Sequence, residues 1–503
     1  MQLYRCALPP CKSSNNRESR GAGHQLRDTN HFDSGSLVVI GGGLSGLVAG
    51  CLLARSGVSA PIVVVESASE PGGLLRSFDG GHFGRFDHGM HTFTSANVPN
   101  LDEFILGLLP RDEWVVMAGK QRDISGVYFR GKLQRACHYP DLRSLPEPLR
   151  RDCIADFCLN LGKVEQSSET LEAFVEQRFG KQVREHVVAP IADKMYGMST
   201  GQLDPVVASV FPLDRVALYD EPDFSDLINS AHIRRRVAYP EQRNLDIKYA
   251  STRYSLYPRE FGAFRLVDAL VKRLIDGGGR LLTATKLEKI TMSGGRVESL
   301  ALRRGDETLN LKSPRQVFWT AGYPGLGRML GLEAAAKPFE SRRKPAVVSL
   351  LLDKPADLGD LYYFWNWDPD FKSYRITNYC GYCPTAPRAG GYPIGFEFVL
   401  APDDPVDTAS LGDLAARELK AMGLYPEGAK VLFSIGGVLP VGFPTFSLEN
   451  RRHLMQYQKE LGGLGISNLA VTGIQAEWGV IYQPEVLAHT YRTVQAYLER
   501  GQD

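Results

Sequence analysis

The sequence predicts an α/β fold: a nucleotide-binding domain on a parallel sheet, a helical cap and a mixed-sheet substrate domain. Three observations carry this. "SLVVIGGGLSGLVAGCLLARSG" reads as a short buried strand, a glycine turn and a helix. "APIVVVESASE" follows as a second apolar strand with an acidic end. Downstream, helical periodicity fills residues 96–250, and strand-like runs fill residues 340–445. A chain of 503 residues exceeds one simple domain.

In the first element Gly41, Gly43 and Gly46 fit G-x-G-x-x-G, and Gly50 extends the spacing. Gly41 allows the tight turn, and Gly43 lets backbone approach a pyrophosphate. That pyrophosphate would sit at the helix N-terminus, beside Leu44 and Ser45. Gly46 and Gly50 let helix and strand pack closely. This is the Rossmann-like pattern of dinucleotide binding. In the second element Glu66 ends the strand, followed by Ser67. A carboxylate there accepts both ribose hydroxyls of an adenosine and repels a 2′-phosphate, which argues against NADP.

The next segment, "ESASEPGGLLRSF", carries Gly72 and Gly73. It resembles the second glycine pair of the flavoprotein superfamily that contains amine oxidases, protoporphyrinogen oxidase and UDP-galactopyranose mutase. The resemblance implies FAD, with Gly73, Leu74 and Arg76 passing beside its pyrophosphate and ribityl chain. "YSLYPREFGAFRLVDALVKRLIDGGGRLLTATKLEKI" (254–290) is similar to a recurring loop, helix and strand, and implies that Leu287 meets the adenine. "RQVFWTAGYP" (315–324) resembles a returning strand, with Thr320, Ala321 and Gly322 at the cofactor. "SNLAVTGIQAEWGVIYQPEVLAHTYRTVQAYL" (467–498) resembles the closing element: Gly473 meets the pyrophosphate, and a helix from Gln483 points at the flavin O2 edge.

"GRFDHGMHTF" is then the strand under the isoalloxazine ring. It resembles the Gly-Pro-His-x-Phe of the mutases, with Met90 in place of proline. The resemblance implies that Gly89 approaches the flavin and that Met90 and His91 face it. His91 would tune the ring or move a proton. The plainer reading makes His88 and His91 partly buried structural histidines.

On the substrate side, "DLYYFWNWDPDFKSYRITNYCGYCP" is aromatic-rich and contains Arg375. A similar stretch in the mutases supplies an arginine to a substrate diphosphate, and "VGFPTFSLENRRHL" (441–454) also resembles them. Arg375 has a second reading, as the partner of a carboxylate such as Asp368 or Asp370. Trp365 and Trp367 share one strand face, for ring stacking or for core packing. "AEWGVIY" departs from both mutases and monoamine oxidases. Within it Trp478 and Tyr482 are candidates to wall the ring, and Glu477 to act on substrate.

These readings divide the chain into a disordered tail (1–35), a first FAD-binding part (36–95) and a helical cap (96–250). A second FAD-binding part (251–335), a substrate-domain sheet (336–445) and a closing FAD-binding part (446–503) follow. Lys plus Arg is 58 and Asp plus Glu is 57, so no charge excess calls for nucleic acid or an anionic membrane. "HIRRRV" (232–237) reads as a solvated face. Eight cysteines form no disulfide framework, and "CGYC" (380–383) lacks the second half of a zinc site, so no metal is expected. The first 35 residues lack an apolar signal core. No membrane span and a cytoplasmic location are expected, with oligomeric state left open.

The expected function is FAD-dependent oxidation of the amine oxidase or protoporphyrinogen oxidase-like type. A small substrate, an amine or a nucleotide sugar among the options, would lose a hydride to flavin N5. His91, Glu477 and Arg375 are the catalytic candidates. One alternative is a nucleotide-sugar mutase, an isomerase. The other is a non-catalytic flavin-binding partner protein.

Overall fold

The computed structural model describes residues 34–439 and 443–500. The tail expected over residues 1–35 lies, up to residue 33, outside the described residues, as do Val441 and Gly442 of the 441–454 stretch.

A five-stranded, all-parallel sheet is assembled from distant segments. Its order is Arg280–Leu282, Ile62–Val65, Leu37–Ile40, Gln316–Trp319 and Leu469–Val471. Its central strands read LVVI and IVVV without alternation because both faces are covered. Leu37 and Val39 pack with helices Leu44–Arg55, Phe264–Asp276 and Gln483–Arg500. Val38 and Ile40 face a three-stranded sheet formed by Thr285–Ser293, Arg296–Arg304 and Glu307–Lys312. The ends of these parallel strands converge where the glycine turns lie, the usual location of ligands in such sheets.

A second sheet has seven strands in the order Val431–Val438, Lys344–Leu352, Tyr392–Leu400, Ser373–Asn378, Tyr363–Asn366, Ser125–Phe129 and Lys132–Gln134. Tyr363–Asn366 and Ser125–Phe129 run parallel and the other pairs antiparallel, so the sheet is mixed. Helix Thr408–Ala421 packs on one face. The other face meets the cap, whose helices include Glu147–Leu161, Leu171–Phe179 and Ala189–Tyr196.

Three local outcomes differ from the sequence reading. The segment read as helical cap also supplies strands Trp114–Ala118 and Ser125–Phe129, whose β-branched and aromatic side chains suit a pleated surface. The strand-like run through "SYRITNYCGY" stops at Asn378. A single helical turn, Tyr379–Tyr382, follows, with the Asn378 amide donating to the Leu361 carbonyl at 2.9 Å. "HIRRRV" is only in part a solvated face: His232 and Arg235 are exposed, but Arg236 is not. Arg236 is 1% exposed and donates to Glu165 at 2.6 Å, and the Arg234 guanidinium lies 4.1 Å from the Tyr249 ring centroid.

Among the described residues no helix is long and apolar enough to cross a membrane. No cluster of three or more His, Cys, Asp or Glu there is placed to hold a metal ion. The CGYC thiols are free, and burial pushes Cys380 up to about 11 and Cys383 upward, which suppresses the reactive thiolate.

Candidate cofactor and substrate site

The glycine turn after Leu37–Ile40 is closed against its neighbours. A Cβ at Gly46 would lie 1.8 Å from the Gly41 carbonyl oxygen, so only glycine lets the helix begin this close to the turn. The Thr320 hydroxyl donates to the Ile40 carbonyl at 2.9 Å and would stand 2.4 Å from a Cβ at Gly41. Gly43 bridges backbone to Gly72. A Cβ at Gly473 would stand 3.3 Å from the Thr320 carbonyl and 3.5 Å from Ser45 Oγ. The glycine turn, the Gly72–Gly73 pair, Thr320–Ala321–Gly322 and Gly473 therefore meet at the N-terminus of helix Leu44–Arg55, whose free amides suit a pyrophosphate.

Glu66 is fixed at the strand end. Its carboxylate accepts from Gly42 N at 2.8 Å and Ala68 N at 2.7 Å, with Ser67 Oγ at 3.3 Å. Thr285 N donates to the Glu66 carbonyl at 2.9 Å, which sets the start of Thr285–Ser293 beside it. The Leu287 side chain is buried in the core next to a β-bulge. Arg76 Nε donates to the Gly73 carbonyl at 3.1 Å and holds the second glycine pair in place. Gln483 opens the last helix: its Oε1 accepts from Thr94 N at 3.1 Å, while its buried Nε2 has no protein partner. A glycine cradle, an acidic strand end and an orphaned amide donor together fit a dinucleotide.

The segment from Asp87 to His91 crosses this site. Asp87 is fully buried and accepts from Tyr257 Oη at 2.7 Å and from Ala263 N at 3.0 and 3.1 Å, just ahead of helix Phe264–Asp276. Burial pushes its carboxyl up to about 6. Gly89 adopts φ 103°, in the left-handed region, and a Cβ there would meet the Glu397 carboxyl carbon at 3.1 Å. Met90 N donates to Glu397 Oε1 at 3.3 Å. His88 packs its ring on Phe78 at 4.2 Å, and His91 Nε2 lies 3.3 Å from the His88 carbonyl. His91 also touches the Leu74 backbone. Its side chain is half-buried.

Burial pushes His91 down to about 4, so the ring is neutral at pH 7. A depressed histidine contributes stability that is present above pH 6.5 and lost as pH falls towards 4. His91→Gln is therefore expected to lose about 2–3 kcal/mol less than wild type between pH 7 and pH 4. Urea unfolding at both pH values measures this. Equal losses in the two proteins would overturn the assignment.

Arg375 pairs with a carboxylate, as its second reading has it, but the partner is Glu397 and not Asp368 or Asp370. Arg375 and Glu397 sit opposite one another on adjacent antiparallel strands, which brings both onto one sheet face. Arg375 Nε and Nη2 donate to the two Glu397 oxygens at 2.7 Å each, and Tyr374 Oη donates to the same carboxylate at 2.8 Å. The guanidinium also lies over Trp365, 5.3 Å from its ring centroid. Asp368 instead accepts from Gly131 N at 2.9 Å. Trp365 and Trp367 stack at 5.0 Å inside the core between sheet and cap.

The structure thus brings His91, Met90, Gly89 and Arg375 together around Glu397. Tyr482 joins them: its hydroxyl donates to the Val210 carbonyl of the cap, and it lies within electrostatic reach of Arg375 and Tyr363. Glu477 stands apart, with its side chain 66% exposed and 3.6 Å from His489. Trp478 packs against Phe446 at 5.0 Å. Sequence reading missed Glu397, Asp87 and Tyr196. Tyr196 is buried on a cap helix with its hydroxyl unpartnered. A lone acidic residue in the apolar run "PIGFEFVLA" is the signal that marks Glu397.

Residues 39–106 match the model of an NAD(P)-binding Rossmann-like domain family. No curated protein matches the sequence. Among solved structures, a reduced UDP-galactopyranose mutase is 16% identical with TM-score 0.71, over 94% of this chain and 95% of that one. A putative protoporphyrinogen oxidase from Exiguobacterium sp. 255-15 is 15% identical with TM-score 0.66, over 93% of this chain and 100% of that one. An oxidoreductase from Methanosarcina mazei is 16% identical with TM-score 0.57, over 92% of this chain and 100% of that one. At the level of the fold, the resemblance read in the sequence holds.

Proposed function

We propose, from the fold this chain shares with flavin-type mutases and oxidases, that it is an FAD-dependent oxidoreductase. The observation that carries the reading is the double glycine cradle ahead of the Gly89–His91 segment. The first turn, Gly72–Gly73 and Gly473 surround one helix N-terminus, and the chain then crosses to the substrate sheet at Gly89. An NAD-only domain has no need of that second crossing. Glu66 would hold the adenosine ribose, Leu44, Ser45 and Arg76 would frame the pyrophosphate, and the helix from Gln483 would face the ring's carbonyl edge.

Bound FAD supplies a two-electron acceptor for a substrate C–H bond. A substrate would approach from the side of Met90, His91, Phe443 and Tyr482, which are only partly buried. His91, neutral at pH 7, is the group placed to accept a proton. Arg375 acts through its pair with Glu397 and fixes the sheet face under Met90.

A nucleotide-sugar mutase is the second reading, supported by the likeness to the mutase fold over 94% of the chain. The closed Arg375–Glu397 pair weighs against it, because the arginine is not free for a diphosphate. The deciding experiment is an absorbance spectrum of purified protein, oxidised and then dithionite-reduced, titrated with UDP-sugars. The oxidoreductase reading expects a flavin spectrum indifferent to every UDP-sugar. Perturbation only after reduction transfers the protein to the mutase reading. A colourless protein that takes up no added FAD removes both.

A further inference from the structure

Val431–Val438, with the sequence VLFSIGGV, is one edge of the seven-stranded sheet. The other edge, Lys132–Gln134, is three residues long and opens with a lysine, a common way to keep an edge single. Val431–Val438 has eight residues, no charge and no proline, and its outer side meets no strand among the described residues. A bulge at Leu352 disturbs its start and leaves Phe433–Val438 in regular register. We propose that this edge pairs, antiparallel and about a twofold axis, with the same strand of a second copy of the chain. The pairing needs no flavin and holds whichever reaction the protein performs.

The inner ladder places the free backbone groups. Leu439 N donates to the Pro345 carbonyl at 3.0 Å, so Leu439 bonds inward. Residues along an antiparallel strand alternate between its two neighbours. Gly437, Ile435 and Phe433 therefore bond to Lys344–Leu352, while Ser434, Gly436 and Val438 aim their amides and carbonyls out of the edge. The Gly436 carbonyl accepts from the Thr408 hydroxyl at 2.8 Å and keeps a second lone pair for a strand. A twofold axis at Gly436 sets that residue against Gly436 of the second copy, and Ser434 against Val438 of the second copy. Every outward amide of the run then meets a carbonyl, the self-complementary contact a twofold dimer requires.

Gly437 supplies an independent observation. Nothing within its own chain asks for glycine there. Its φ is not in the left-handed region, and a Cβ would meet no atom within 4 Å. Gly436 is different, because a Cβ there would stand 2.3 Å from the Val347 carbonyl oxygen. Glycine inside a strand weakens it and often marks the close approach of another backbone. In the register above, Gly437 stands opposite Ile435 of the second copy, and the open space beside it receives that side chain. Symmetry makes the fit twice. Val438, 41% exposed, becomes covered by the same pairing. The ends agree in charge. Lys430 is exposed at one end of the strand, and Asp403 and Asp407 are exposed at the other, on the segment between Leu400 and Thr408. Antiparallel pairing turns each basic end towards the acidic end of the other copy.

Sedimentation velocity on the full chain, run over about 1–100 μM, tests the pairing. One strand pair with short flanks falls at the small end of specific interfaces, so association in the micromolar range is expected. Hydrogen exchange read by mass spectrometry locates the contact: amide protection over Phe433–Val438 should rise with protein concentration as dimer forms. Gly437→Lys enters open space in the single copy and is expected to fold as wild type does. In the dimer it sets an ammonium group against Ile435 of the second copy. Its self-association should be at least ~100-fold weaker, with no concentration-dependent protection of Phe433–Val438. The proposal is overturned if wild type stays monomeric across the range, or if it dimerises without added protection over Phe433–Val438. It is overturned equally if folded Gly437→Lys dimerises as tightly as wild type. Should that variant fail to fold, the mass and exchange pattern of wild type decide.

Discussion

Asp87→Ala is expected to destabilise the protein by about 3–5 kcal/mol. The residue is 0% exposed and accepts from Tyr257 Oη and Ala263 N. Truncation leaves both donors buried without an acceptor. It also removes the charge facing Arg388, whose guanidinium is enclosed over the Phe261 ring at 3.6 Å. Asp87→Asn keeps one acceptor oxygen and is expected to cost about 1–2 kcal/mol. Because the same carboxyl fixes the start of the Asp87–His91 segment, both variants should also retain less cofactor. Urea unfolding at pH 7 measures the first effect and cofactor content the second. An alanine variant as stable as wild type would remove Asp87 from its anchoring role.

On the proposed function, Gly46→Ala is expected to lower affinity for the dinucleotide, tested as FAD, by at least ~100-fold. The new methyl would stand 1.8 Å from the Gly41 carbonyl oxygen, a backbone atom that has no rotamer to escape into. Either the turn or the helix start must move by more than an ångström, and the pyrophosphate site lies between them. Gly50→Ala is the control. Its methyl would meet Val64 Cγ2 at 2.8 Å and Leu274 Cδ1 at 3.1 Å, both side-chain atoms able to adjust. It should cost about 1–3 kcal/mol of stability while FAD binding survives. Fluorescence titration of FAD into each variant separates the cases. Equal affinities for the two would show that turn geometry does not govern the site.

What could be read in advance follows from distance along the chain. The turn at Gly41–Gly46 and the acidic end at Glu66 are local, and each announces itself by spacing. The strand-like runs over residues 340–445 are likewise local, each a short apolar stretch. Arg375 stands out in the sequence, but the carboxylates nearest to it there, Asp368 and Asp370, are not its partner. Glu397 is 22 residues away, and only the antiparallel register brings it opposite. Asp87 and Ala263 are 176 residues apart, so nothing local announces their bond. Glu477 looked available because its neighbours fit a ring wall, yet the loop turns its carboxylate outward to His489.

The five-stranded sheet has a consequence for how the protein comes into being. Its strands are drawn from residues 37–40, 62–65, 280–282, 316–319 and 469–471. On the ribosome the first glycine turn emerges long before the Gly473 side of its cradle. Until Gln316–Trp319 is made, the apolar strand Leu37–Ile40 waits with that edge unpaired. Such distant pairings close slowly and leave partly assembled sheet open to aggregation. A ligand that binds only the finished cradle acts on the last step and draws the equilibrium towards completion by mass action. Yield of soluble protein should then follow the supply of cofactor in the cell, a dependence set by chain order and not by catalysis.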